Sequence, residues 1–264
     1  MKTSPLSGRN ILRLSYLMVF LFWRVDTISG TFLVSVSSDD VLVIGSDGIM
    51  TRPNIAGRLV GKEPSCKIRQ VGNQVVAHAG LTFERPVQFE FWETVSSISA
   101  DSTSEFVSRL SGILDEKLQE VARARRERNP PHPDYRLTII ELYIAGWEPE
   151  LTLFELVARI PSDGVPVTKY NRLWPMWDEI PANYKPGRVR LMNYFGSYNA
   201  SILSAREPIE VLTDPVKYGR SKIQAQIDAG NQSVGPPITI VSIDKSGPKW
   251  IEVGSCDKQV ETQN

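Results

Sequence analysis

The sequence has little cysteine and little histidine, and it carries no net charge. Two cysteines, Cys66 and Cys256, and two histidines, His78 and His132, occur among 264 residues. So few residues do not support a disulfide framework or a metal site of Cys and His, and chemistry without a cofactor is favoured. Thirty basic and thirty acidic residues cancel, so the composition predicts no binding of nucleic acid or of an anionic membrane surface.

The sequence also lacks an apolar run long enough for a stable membrane anchor. The run Tyr16 to Trp23 is less than half of the ~20 residues that cross a bilayer as a helix. Basic residues precede it and a mostly polar stretch, 24–30, follows, which is roughly the layout of a secretory signal. We interpret residues 1–30 as a leader: a propeptide, an over-extended start or an export signal. The expected compartment is the cytoplasm, or outside it if the leader directs export.

Residues 31–264 are predicted to form a single domain. The chain is 41% apolar, enough for a substantial core, and no stretch has the composition of a linker between domains.

The order of apolar patterns predicts strands, two helices, strands, two helices and strands. Four strands, paired as two hairpins, are expected before any helix: Phe32 to Val36, Val41 to Ile44, Lys67 to Val71 and Gln74 to Ala79. Helices are predicted near 83–97, from the capping box Ser102-Thr103-Ser104-Glu105, near Ser197 and over 215–229. Further strands are expected at 137–145, 151–159, 238–243 and 250–253, and 161–186 has no clear period. This order predicts an α+β fold, a four-layer αββα sandwich with two antiparallel sheets between helix pairs.

Thr31 is the first candidate for chemistry. It follows Gly30, opens an alternating strand and lies sixteen residues before Asp47. A threonine hydroxyl is a weak nucleophile, and one way to activate it is to free its own α-amine, which has a reference pKa of about 8 and can serve as an adjacent base. The pattern therefore suggests cleavage of the Gly30–Thr31 bond.

Four features in the first fifty residues of the predicted domain resemble the N-terminal nucleophile hydrolases, and among them the proteasome β-type subunits and the bacterial threonine peptidase that works with an ATPase ring. Thr31 stands at the family's nucleophile, and Asp47 matches its aspartate at the same spacing. Lys67, opening the segment Lys67 to Val71, stands where the family has its catalytic lysine. Ala79-Gly80 resembles the small-residue turn whose backbone N–H forms the oxyanion hole.

The resemblance implies a role for each residue. Lys67 would help to remove the hydroxyl proton of Thr31, and Asp47 would hold and neutralise that lysine. Gly80 would let the backbone approach the oxyanion. Lys62 is a competing candidate for the lysine, and Lys67 is preferred because it opens a strand.

Two later segments resemble the family more weakly. Gly196-Ser197 looks like the serine that contacts the threonine amine, although the surrounding glycine-rich motif is shortened. Ser233 and Gly235 look like the late Ser-Gly turn, followed here by two prolines; Asp228 is nearby but is not a sure match for the aspartate that accompanies that turn.

Ordinary structural interpretations apply to the other notable residues. His78 is predicted to be a packed strand histidine and Cys66 a small buried side chain. Trp174 and Trp177 are predicted to be packing or interface anchors, and the stretch 161–186 to be a lid, an insertion or a subunit contact.

Two functional classes follow. The first is a self-processed threonine-type peptidase without a cofactor, which acts on peptide or protein substrates through an acyl-enzyme on Thr31. The second is a non-catalytic relative that builds a ring or binds a partner. The resemblance implies a homo-oligomeric ring in either case, and the sequence itself indicates no ATPase partner.

Overall fold

The strands and helices come from a computed structural model, which describes residues 31–38, 40–53, 59–84, 87–127, 139–161, 165–174, 191–196, 198–203 and 213–256. The strands are β1 (Phe32–Ser37), β2 (Leu42–Ser46), β3 (Ile49–Pro53), β4 (Leu59–Pro64), β5 (Ile68–Val71), β6 (Gln74–Gly80), β7 (Phe83–Glu84), β8 (Phe89–Glu90), β9 (Ile139–Gly146), β10 (Thr152–Arg159), β11 (Val167–Trp174), β12 (Leu191–Gly196), β13 (Thr239–Asp244) and β14 (Gly247–Glu252). The helices are α1 (Phe91–Ser96), α2 (Thr103–Glu127), α3 (Ala200–Leu203) and α4 (Pro215–Asp228). The predicted leader, 1–30, lies outside the described residues.

Two five-stranded antiparallel sheets carry most of the strands. Sheet 1 has the order β12-β1-β2-β13-β14 and sheet 2 the order β11-β10-β9-β6-β5. Both predicted hairpins are present: β1 pairs with β2, and β5 pairs with β6 across a turn in which Gly72 has a φ of +56°. The predicted α+β class with antiparallel sheets is therefore confirmed.

Strand alternation divides the apolar residues among three buried clusters. Leu33 and Ile44 of sheet 1 meet Ala77 and Tyr143 of sheet 2 in one cluster. Their sequence neighbours point the other way: Phe32, Val34 and Val43 pack with Tyr218 and Ile223 of α4. In sheet 2, the residues that face away from sheet 1 pack against α1 and α2; they include Val76, Leu142 and Leu156.

The helix α2 begins at the predicted capping box, and α4 begins at a cap, Asp214, that the sequence analysis did not predict. The Ser102 hydroxyl accepts the Glu105 N–H at 3.2 Å, and the Glu105 carboxylate accepts the Asp101 N–H at 3.0 Å. Asp214 accepts the N–H groups of Val216 and Lys217 at 3.1 and 3.0 Å. These contacts satisfy amide groups that a helix leaves unpaired at its first turn.

Several element predictions are wrong. Between Asp47 and Lys67, β3 and β4 form a further hairpin, so more than the four predicted strands precede the first helix. The helix predicted near 83–97 is reduced to α1, because β7 pairs with β8 and Gln88 between them has a φ of +52°, which is incompatible with a helix.

The second group of corrections lies near the edges of the sheets. Within the stretch 161–186, residues 167–174 form β11 and pair with β10 as the edge of sheet 2. Trp174 is buried in the cluster between the sheets, as the packing prediction expected, whereas Trp177 lies outside the described residues. The strand β12 was not predicted, and the helix near Ser197 has four described residues, 200–203. Edge strands escape the pattern because the face they leave exposed gives no apolar signal. None of the described helices is both long and apolar enough to cross a membrane.

Candidate active site

Thr31 directly precedes β1, which lies between β12 and β2 in sheet 1, and is only 7% exposed. Alternation places its side chain on the same strand face as Leu33, which faces sheet 2. On the other side of β1, Gly196 of β12 pairs with Phe32. A Cβ added at Gly196 would overlap the Thr31 carbonyl oxygen, so the two backbones are in close contact.

Asp47 is the centre of the polar contacts near Thr31. It follows β2, is fully buried, and its Oδ1 accepts the Phe32 N–H at 2.7 Å. Its Oδ2 accepts the N–H groups of Ile49 and Gly235, each at 3.3 Å. The carboxylate is therefore anchored by three backbone amides, one of which belongs to the peptide that links Thr31 to Phe32.

Lys67 forms a buried ion pair with Asp47. Its Nζ lies 2.7 Å from Asp47 Oδ1, the same oxygen that accepts the Phe32 N–H, and Lys67 is only 4% exposed. The Lys67 Nζ and the Phe32 nitrogen both lie 2.7 Å from this one oxygen, so the ammonium is close to the backbone next to Thr31. The His78 N–H donates to the Lys67 carbonyl at 2.9 Å and fixes its backbone to β6. Lys62, the competing candidate, is exposed on β4, so Lys67 is the lysine that reaches Asp47.

Burial shifts the proton affinity of both members of the pair. It lowers the pKa of the Lys67 ammonium, against the opposing attraction of Asp47. It raises the pKa of the Asp47 carboxyl, against the effects of Lys67 and of the backbone amides. Burial therefore opposes the charged form of each group, and their mutual attraction favours it.

Ala79 and Gly80 end β6 beside this pair. Ala79 is buried between the sheets, and Gly80 has a φ of +108°. Only glycine adopts that conformation without strain, because a side chain at this φ would clash with the neighbouring backbone. Gly80 therefore has the freedom that a backbone oxyanion donor needs.

The two later candidates differ in what the structure shows. Ser233 is half-buried, and its N–H donates to Asn231 Oδ1 at 3.0 Å. Its neighbour Gly235 donates to Asp47 and accepts the Gly48 N–H at 3.0 Å, so the Ser233–Gly235 turn is joined to the Asp47 segment. Ser197 lies outside the described residues. Asp228 is exposed at the end of α4 and accepts the amide of Gln224 at 2.7 Å, away from this group.

The sequence interpretation missed one acidic residue near Thr31. Glu141 on β9 is half-buried, and its Oε2 accepts the Gly196 N–H at 2.9 Å. Burial raises the pKa of this carboxyl, opposed by the Gly196 bond and by Arg159. A signal was available, because Glu141 is the one charged residue in the apolar strand Ile139–Gly146.

His78 packs as predicted. It is 4% exposed, its ring stacks on Phe91 with centroids 4.0 Å apart, and its Nε2–H donates to the Leu81 carbonyl at 3.0 Å. Burial lowers the pKa of His78 to about 3, so the ring is neutral at neutral pH.

The interpretation of Cys66 as a small buried side chain is wrong. Cys66 forms a disulfide with Cys256, with Cα atoms 4.7 Å apart across a sequence separation of 190. The bond joins the residue before Lys67 to the segment after β14. The spacing of the two cysteines gave no signal for the pairing, since only the fold brings them together.

No family model matches the sequence, and no curated protein does. Two solved structures of BPH from Thiobacillus denitrificans are similar to this chain. The first, in complex with epoxomicin, is 14% identical with a TM-score of 0.48 and covers 81% of this chain and 98% of its own. The second is 14% identical with a TM-score of 0.44 and covers 81% of this chain and 97% of its own. At these values the similarity does not establish the family or the activity of this chain.

Proposed function

We propose that this protein is a threonine-type N-terminal nucleophile hydrolase, a proteasome-like peptidase that cleaves peptide bonds through an acyl-enzyme on Thr31. The observation that carries the proposal is the buried Lys67–Asp47 pair, whose shared oxygen also holds the amide next to Thr31. Burying two charges costs several kcal/mol per ion before their attraction is counted. A threonine that only begins a strand does not need a buried ion pair beside it, whereas a threonine nucleophile does.

In this mechanism the Thr31 hydroxyl attacks the carbonyl carbon of the substrate. Its proton passes to the freed α-amine of Thr31, with Lys67 favouring the transfer through its charge or as part of the relay. The Gly80 N–H donates to the oxyanion. The C–N bond then breaks, the amine leaves with the proton, and the acyl group stays on Thr31 as an ester. Water hydrolyses the ester and regenerates the hydroxyl.

This chemistry requires that the Gly30–Thr31 bond is first cleaved, because an amide nitrogen is not a base. In self-cleavage the same hydroxyl would attack the Gly30 carbonyl carbon. The C–N bond to Thr31 would break, the Thr31 nitrogen would take the hydroxyl proton, and water would hydrolyse the resulting ester to release Gly30 and restore the hydroxyl. Ser197 and Ser233 are proposed to orient the released amine. The joining of the Ser233–Gly235 turn to Asp47 supports the second of these roles.

The proposal includes the four-layer αββα arrangement, with α1 and α2 on sheet 2 and α3 and α4 on sheet 1. The division of the core into three clusters supports it. It also includes a homo-oligomeric ring that encloses the sites and takes peptide or protein substrates. The alternative, a non-catalytic ring-forming relative, requires that Gly30 stays attached to Thr31.

The test is the intact mass and amino-terminal sequence of protein purified from its own host, together with hydrolysis of fluorogenic peptides with acidic, basic and apolar residues before the scissile bond. We expect a mature chain that begins at Thr31, and we expect Thr31→Ala to abolish both processing and hydrolysis. Lys67→Ala should lower hydrolysis at least 10²-fold, whereas the matched change Lys62→Ala, on an exposed side chain, should leave it unchanged. A wild-type chain that keeps Gly30 would refute the peptidase and leave the structural alternative.

A further inference from the structure

We propose that Glu141 is a positioning residue of the Thr31 site. Its carboxylate fixes the backbone of β12, which is in contact with Thr31, to β9, the strand that pairs with Ala79 and Gly80 at the end of β6. This inference rests on the proposed function for its catalytic consequence. Its structural part, the tie between two sheets, stands on contacts in the described residues.

The first contact is made at Gly196. Glu141 Oε2 accepts its N–H at 2.9 Å, and Gly196 has a φ of +83°. Because a Cβ on Gly196 would overlap the Thr31 carbonyl oxygen, any movement of this peptide moves a group in direct contact with Thr31. Holding the Gly196 amide therefore restrains the Thr31 backbone.

The second contact places Glu141 beside the proposed oxyanion donor. In the pairing of β6 with β9, Glu141 is opposite Ala79 and Ile140 is opposite Gly80. The backbone of Glu141 is thus part of sheet 2, which carries the Ala79–Gly80 turn, while its side chain reaches sheet 1, which carries Thr31. Glu141 thus restrains the separation of Thr31 and Gly80. The Lys67–Asp47 pair joins the same sheets on the other side of Thr31.

Aromatic packing next to the Glu141–Gly196 hydrogen bond holds the same two strands together. Tyr143, two residues along β9, stacks on Phe195 with ring centroids 4.6 Å apart. The stacked rings hold β9 and β12 together, and Glu141 adds a directional hydrogen bond at the next residue, Gly196. Glu155 and Arg159 of β10 are the charged groups that act on the Glu141 carboxyl.

The test compares two variants of similar length in the full chain. Glu141→Gln keeps an oxygen that accepts the Gly196 N–H, whereas Glu141→Met fills the space and removes both oxygens. We expect the Met variant to lower kcat about 10²-fold with KM changed less than about threefold, because small misplacements of reacting groups cost about that much. The Gln variant should stay within about fivefold of the wild type. Glu116→Gln, at an exposed carboxyl of α2, is the matched control and should not change kcat.

Amide hydrogen exchange measures the link that Glu141 makes between the two sheets independently of activity. In the Met variant we expect faster exchange in peptides covering residues 31–33 and 194–196, and no change in α2. Equal kcat for the Met variant and the wild type, equal loss in the Gln and Met variants, or unchanged exchange at both segments would overturn the proposal. A wild type that neither starts at Thr31 nor hydrolyses peptides would refute the proposed function, and the exchange result would still decide whether Glu141 holds the Thr31 strand.

Discussion

Replacing Asp47 should be more damaging than replacing Lys67, although the two form one ion pair. Asp47→Ala leaves a buried ammonium and three backbone amides without their common acceptor. Removing one partner of a buried pair costs about 3–5 kcal/mol in the free energy of unfolding. Lys67→Met leaves the Asp47 carboxylate with all three amide donors, so we expect about 1–3 kcal/mol, the range for a lost buried hydrogen-bond partner.

The assay is urea unfolding of the two single variants and the double variant, followed by circular dichroism at neutral pH. The coupling energy of the cycle should be about 1–3 kcal/mol, as for residues in direct contact. The double variant should be less destabilised than the sum of the two single variants, since no charge is left unpaired by the second change. If the single costs add to within about 0.5 kcal/mol, or if Lys67→Met costs more than Asp47→Ala, the account of Asp47 as the anchored centre is wrong.

Three further predictions concern groups outside the pair. Gly48→Ala should destabilise the fold by more than 1 kcal/mol, because its Cβ would overlap a backbone carbonyl. Gly112→Ala, in α2 with no atom within 4 Å of its Cβ, should stabilise the fold by about 0.5–1 kcal/mol. Thermal unfolding of both variants checks this, and equal effects would contradict it. The pKa of His78 is lowered to about 3. The contribution of the neutral ring to the free energy of unfolding is therefore complete above about pH 6.5 and is lost as pH falls towards 3, by about 1.4 kcal/mol per pH unit. The stability of His78→Gln measured against pH should lack this slope, and a slope identical to that of the wild type would refute the prediction. Reduction of the Cys66–Cys256 disulfide, which closes a separation of 190 residues, should lower stability by up to about 5 kcal/mol, and a Cys66→Ser, Cys256→Ser chain should be insensitive to reductant.

The disulfide also bears on the compartment. Disulfides persist in oxidising compartments and are rare in the cytoplasm. The Cys66–Cys256 bond therefore predicts that both thiols are protected from alkylation. Alkylation of free thiols in intact cells, followed by mass measurement, should show both cysteines protected. Two alkylated cysteines would indicate a reducing compartment.

The elements that could be predicted are those whose signal is local. The hairpin around Gly72 and the helix that begins at the capping box of Ser102 are set by neighbouring residues, and both are present. The short helix α1 and the strands β11 and β12 could not be read in this way. Their conformation depends on partners distant in the sequence, such as β10 for β11 and β1 for β12.

The same division holds for the candidate site. The sequence by itself determined which residues are candidates for the site, because the spacing of Thr31, Asp47 and Lys67 and the order of their strands are properties of the chain. Only the tertiary structure decided that Lys67 rather than Lys62 reaches Asp47, that Cys66 meets Cys256, and that Glu141 crosses between the sheets. The physical reason is that a buried ion pair, a disulfide and an inter-sheet hydrogen bond join residues through space, and their separations along the chain leave no periodic pattern to read.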